Sequence, residues 1–80
     1  MRVVIKDSPY ATHAVLDLSY KFEPGKINEI QVLKENGMWV CATTDGNAWG
    51  TWLEFRTKHE ALAEMHNMLD EIETTGNFNL

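Results

Sequence analysis

A single cysteine, Cys41, leaves the chain no means of forming an internal disulfide. At 80 residues it sits near the lower limit for folding without staples, so stability must come from a hydrophobic core. Long apolar runs are also missing. None approaches the ~20 residues needed to span a bilayer. The opening MRVVIKDSPY has only a short apolar stretch and no small-residue cleavage site, so it does not read as a signal peptide. Together with the lone thiol, this gives the expectation of a cytoplasmic protein. Positive charge is scarce: seven Lys and Arg stand against twelve Asp and Glu, a formal net charge of −5. The deficit is concentrated. Residues 1–56 carry six Lys/Arg against seven Asp/Glu, whereas residues 57–80 carry only Lys58 against Glu60, Glu64, Asp70, Glu71 and Glu73. Such an acidic end argues against a duplex-DNA binder, whose affinity comes chiefly from cationic contacts to phosphate.

What is present is an ordinary globular composition, 44% hydrophobic and 24% charged, which excludes a disordered chain. Arg2–Lys6 is a short β-prone run, ended by Asp7-Ser8-Pro9. Alternation follows, with Ala14, Leu16, Leu18, Tyr20 and Phe22 on one side and Val15, Asp17, Ser19 and Lys21 on the other. Pro24-Gly25 supplies a turn, and Ile27–Lys34 is the next strand. Asn36-Gly37 is the strongest hairpin signal, because a two-residue type I′ loop needs positive φ at both positions. Met38–Thr43 returns, Asp45-Gly46 turns again, and Ala48–Arg56 closes an antiparallel meander. Thr57 with Glu60 three residues on has the capping-box pattern that opens a helix, and Gly76 marks its stop. Leu62, Met65, Leu69 and Ile72, with Ala61 and Met68, fall within about 120° of the helix circumference. The expected fold is α+β: an antiparallel β-meander of four to five strands with one C-terminal α-helix packed on one face. It forms a single domain over 1–80, with the sheet over about 2–56 and the helix over about 58–74.

Two-residue turns would fix the pairing. They place Lys34 opposite Trp39, Val32 opposite Cys41, Trp39 opposite Trp52, Met38 opposite Leu53, and Phe22 opposite Ile27. One face then gathers Leu16, Leu18, Tyr20, Phe22, Ile27, Leu33, Met38, Val40, Ala42, Trp49, Leu53 and Phe55, and the helix is expected to cover it. The other face carries Ile30, Val32, Trp39, Cys41 and Trp52, edged by Lys21, Lys34, Glu54 and Arg56. A one-residue slip in any hairpin would reverse the assignment locally.

Trp39 and Trp52 therefore become the candidate partner-binding anchors. Ile30 and Val32 form their apolar floor, and Lys34 and Arg56, with Glu54, form the polar rim. Small soluble domains rarely leave two indoles on an open face without a use for them, and tryptophan is enriched among interface hot spots. The competing reading is structural: a cross-strand aromatic pair adds about 0.2–1 kcal/mol to a hairpin, or the first strand or the tail residues Phe78 and Leu80 fold over the pair. Glu60, Glu64 and Glu71 lie within about 40° on the helix. They form a secondary acidic surface for a basic partner, or a plain solvated stripe.

Catalytic and metal chemistry find little support. His59-Glu60 begins like the HExxH zinc pattern, but Ala63 stands where the second histidine would be. His66 lies roughly 10 Å along the helix from His59, too far to share one ion. Cys41 has no base patterned beside it, and no phosphate-cradling glycine loop is present. No catalytic residue, metal site or cofactor is expected.

The function expected is a non-enzymatic protein-binding module, of the small acidic regulator or inhibitor kind that phages and mobile elements direct at host proteins. That last step is analogy at the level of a protein class. Single-stranded nucleic-acid binding on the tryptophan face is the first alternative, with Lys21, Lys34 and Arg56 beside stacked bases. A homodimer packed through the same face is the second.

Overall fold

The structure is a computed structural model, and it describes residues 2–17 and 23–80. Five strands and one helix follow in chain order: β1 (Arg2–Asp7), β2 (Ala11–Asp17), β3 (Glu29–Glu35), β4 (Met38–Thr44), β5 (Trp49–Phe55) and α1 (Lys58–Thr75). The strands form one antiparallel sheet in the order β1-β2-β3-β4-β5, as a meander should. The expected α+β fold, a meander with a C-terminal helix packed on it, is the fold observed. Leu18, Tyr20, Lys21 and Phe22, expected to extend the second strand, lie outside the described residues.

Local signals explain the well-read elements. Asn36 and Gly37 both have positive φ, 49° and 78°, and Glu35 faces Met38 across them. The ladder then runs regularly through Lys34 opposite Trp39 and Val32 opposite Cys41. At the helix start, the Thr57 side chain accepts the Glu60 N–H at 3.2 Å, and its hydroxyl donates to the Glu60 carboxylate at 2.9 Å. At the helix end, Gly76 takes φ 69° and donates its N–H to the Ile72 carbonyl. Only glycine adopts that left-handed conformation without strain.

The helix covers the other face from the one expected. Ala61, Met65, Leu69 and Ile72 pack with Ala14, Leu16, Ile30, Val32 and Cys41 into one core. Val3, Trp39, Phe55, Leu62, Met68, Phe78 and Leu80 pack around it. The cause is register. In β2–β3, Ala14 faces Ile30 and Ala11 faces Leu33, an odd shift from the pairing a Pro24-Gly25 hairpin would give. The Pro24-Gly25 turn exists, with Gly25 at φ 82° and Lys26 N–H bonded to the Glu23 carbonyl, but it does not join the strand ends. The shift moves Ala14 and Leu16 beside Ile30 and Val32, so the larger contiguous apolar surface lies on that side. Its small residues Ala14 and Cys41 also allow the helix to approach closely.

The chain beyond α1 returns across the same side. Ile27 N–H donates to the Phe78 carbonyl at 2.7 Å, and Leu80 N–H to the Gly25 carbonyl at 2.9 Å. These bonds form an isolated antiparallel bridge between Lys26 and Asn79. Near the other end of the helix, Lys58 lies 3.8 Å from the Asp7 carboxylate and 5.5 Å from the Trp39 ring centre. It ties the first helical turn to both β1 and β4. Thr12 donates a hydrogen bond to Asp7, and that bond together with the Lys58 charge holds the Asp7 carboxyl below its ordinary value.

Candidate functional site

β5 carries the feature that sequence reasoning placed wrongly. Ala42 faces Trp52 and Thr44 faces Trp49, so three steps on β5 match two on β4. The extra residue makes a β-bulge, with Gly50 and Thr51 together opposite Thr43. Thr51 N–H donates to Thr43 Oγ1 at 2.9 Å, which occupies an amide that the broken ladder would otherwise leave unpaired. Glycine fits the bulge for a second reason. A Cβ at position 50 would lie 2.7 Å from Leu80 Cγ and 2.8 Å from Thr43 Oγ1.

The bulge brings two indoles together. Residues three apart on a regular strand point to opposite faces, but here Trp49 and Trp52 share the face away from α1. Their ring centres are 5.4 Å apart in an edge-to-face arrangement at 83°. They remain 47% and 39% exposed.

The proposed Trp39–Trp52 pair is therefore corrected. Trp39 stands opposite Phe55, on the helix side, where it packs against the core beneath Lys58 and 6.0 Å from Lys34. Ile30 and Val32, expected as the floor of an open patch, are 0% exposed beneath α1. Lys34 faces Trp39 at the hairpin end and is exposed, as is Arg56 just beyond β5. Of the expected anchors, only Trp52 stays on a free surface, and its neighbour is Trp49. The Trp49-Gly50-Thr51-Trp52 string carried the missing signal. An isolated glycine inside a strand pattern marks a bulge, and a bulge changes which residues share a face.

The loop before β5 is held by side chains. Asp45 is buried. Its Oδ1 accepts the N–H groups of Asn47 and Ala48, both at 2.8 Å, and its Oδ2 accepts the Gly25 N–H at 2.9 Å. These three bonds, Gly25 foremost, hold its carboxyl below the ordinary value of 3.8. Thr44 Oγ1 accepts the Gly46 N–H and donates to the Ala48 carbonyl. Thr44 to Trp49 is thus a clasped loop rather than the two-residue Asp45-Gly46 turn expected.

On the helix side of β5 an open cleft of about 270 Å³ runs between the strand and α1. Leu53, Met68 and Ile72 line it with Glu64 and Glu71, and Asn77 and Asn79 also contribute to its wall. Glu60, the third residue of the expected acidic surface, is instead engaged at the helix cap. Cys41 lies beneath the helix, where its thiol donates to Met68 Sδ at 3.7 Å. Burial, with the Glu64 carboxylate adding to it, pushes that thiol up to about 12. It is a core side chain with no thiolate near neutrality. His13 pairs with Glu29 on the face away from α1, while His59 and His66 are exposed on the helix. Among the described residues no three His, Cys, Asp or Glu side chains converge to hold a metal ion. None of their helices is long and apolar enough to cross a membrane.

Comparison with protein-family models, with curated proteins and with solved structures returned no match.

Proposed function

We propose that this chain is a non-enzymatic protein-binding module, a small acidic regulator or inhibitor, whose contact surface centres on Trp49 and Trp52. The observation that carries the reading is the indole pair itself: two large side chains locked edge to face, yet 47% and 39% open to solvent. Such a pair offers wide apolar area that is already rigid, so little side-chain freedom is lost when a partner docks. Tryptophan is the residue type most enriched where binding energy concentrates.

The nucleic-acid alternative has less behind it. Lys34, expected beside the stacking platform, lies with Trp39 on the helix side. A net charge of −5 opposes phosphate as well.

The test compares wild type with Trp49→Ala/Trp52→Ala in capture from a nuclease-treated lysate. Both rings are partly exposed, so the variant should fold with about 0.5–1.5 kcal/mol less stability, the worth of an aromatic pair. A protein retained by wild type and lost from the folded variant is the expected result. Retention by both would overturn the reading. A dimer seen in sedimentation that the substitutions dissolve would assign the pair to self-association instead.

A further inference from the structure

We infer that the cleft between β5 and α1 receives an extended, lysine- or arginine-bearing segment of a partner protein, added as a sixth strand on the outer edge of β5. This deepens the reading above and rests on it. Among the described residues the sheet order ends at β5, so nothing there pairs with its outer backbone groups. An unpaired edge is a template for another strand unless charge, proline or a bulge blocks it. Here the bulge blocks only the start of β5. From Trp52 to Phe55 the strand is regular and free of lysine and proline, and its one charge, Glu54, is acidic and repels an acidic strand rather than a basic one.

Alternation then decides what an added strand would meet. Side chains of neighbouring strands stand side by side, pointing in turn to either face. On one face the incoming side chains would lie beside Trp52 and Trp49, where apolar groups or cations stack favourably on indole. On the other they would enter the cleft over Leu53 and Met68, along the wall of α1 that bears Glu64 and Glu71. Among the described residues neither carboxylate has an ion-pair partner. The apolar floor fits an aliphatic stem, and the two carboxylates fit the cationic head that such a stem carries in lysine and arginine. Charge complementarity thus selects a basic segment over an acidic or neutral one.

The test uses the full chain and three fluorescent peptides: TKVKVKT, TEVEVET, and TKVKVKT with N-methylated valines, which lack the main-chain donors of a strand. Anisotropy is read at low and at physiological salt. Wild type should bind TKVKVKT best, lose it on N-methylation, and lose about fivefold to tenfold in affinity on Glu64→Gln/Glu71→Gln. Equal binding of TEVEVET, indifference to the two glutamines, or no binding of TKVKVKT would each overturn the inference. So would a wild-type dimer whose β5 amides are protected from exchange, since a second copy would then be the occupant. The captured partner separates the two ideas. Sensitivity to Trp49→Ala/Trp52→Ala without sensitivity to Glu64→Gln/Glu71→Gln overturns the added strand and leaves the interface. Indifference to the tryptophan substitutions overturns the interface itself.

Discussion

β4 is shared by two hairpins built in different ways. Toward β3 the link is Asn36-Gly37, with positive φ at both residues, and the ladder runs without interruption from Glu35–Met38 to Glu29–Thr44. Toward β5 the link is a loop clasped by Asp45 and Thr44, followed by the bulge at Gly50 and Thr51. The first hairpin is fixed by backbone conformation, and its side chains keep strict alternation. The second is fixed by side chains, and its extra residue breaks alternation. That break sets Trp49 and Trp52 on one face, which a regular strand cannot do with residues three apart. The candidate interface is a product of the irregular hairpin.

The hardest blow to this contrast is Gly50→Ala. The new methyl would meet Leu80 Cγ at 2.7 Å and the Leu80 backbone carbon at 2.9 Å, so either the tail or the bulge must move. The expected cost is about 1–3 kcal/mol, as for other overpacked sites. It should appear as a lower urea midpoint together with a weaker circular-dichroism couplet from the two coupled indoles. An unchanged midpoint would show that the bulge accommodates a side chain and that glycine there is incidental.

Gly37→Ala probes the regular hairpin. A Cβ there meets nothing within 4 Å, so the whole penalty is the positive φ of 78°. A left-handed alanine costs about 1–2 kcal/mol. The indole couplet should survive, because the register toward β5 is set elsewhere. A couplet lost in Gly37→Ala would mean that the two hairpins are not independent.

The same contrast governs how much could be read from sequence. Asn36-Gly37 announces its turn type and therefore its register, and the Lys34–Trp39 and Val32–Cys41 pairs came out as expected. Thr57 and Gly76 announce the helix ends by the same kind of local chemistry. Asp45-Gly46 resembles a two-residue turn equally well. Its real loop spans four residues, held by the Asn47 and Ala48 N–H groups on Asp45 and by Asp45 reaching Gly25, twenty residues away in sequence, a contact no local pattern shows. That longer loop moves the pairing by an even two residues, and the extra residue of the bulge adds the odd step that carried Trp52 to the face opposite Trp39. A second odd shift, between β2 and β3, placed the helix on the face that had been read as open. Fold class survives such slips because it depends on element order, whereas a surface patch depends on parity. Trp49 was recoverable, since Gly50 between the two tryptophans was in plain view.

Asp45 offers the finest test of what clasps the second hairpin. Its carboxyl is held below 3.8 by three backbone N–H groups, so the folded state binds a proton there less readily than the unfolded chain. The stability it contributes is complete above the unfolded value and is lost as pH falls through the lowered folded value. Wild type should therefore show a steepening loss of urea resistance below about pH 4, part of it from Asp7, whose carboxyl is also held low. Asp45→Asn should flatten that acid limb while lowering stability modestly at neutral pH. Its amide carbonyl can still serve Asn47 and Ala48, but its NH₂ would then face the Gly25 N–H, donor against donor. Asp7→Asn serves as the control. Thr12 holds its carboxyl first and the Lys58 charge second, so salt should trim only the Lys58 part of its share of the limb and leave the Asp45 share standing. If Asp45→Asn keeps the wild-type acid limb, the loop is held by Thr44 and the backbone alone. The register that pairs the two tryptophans would then not depend on the carboxylate.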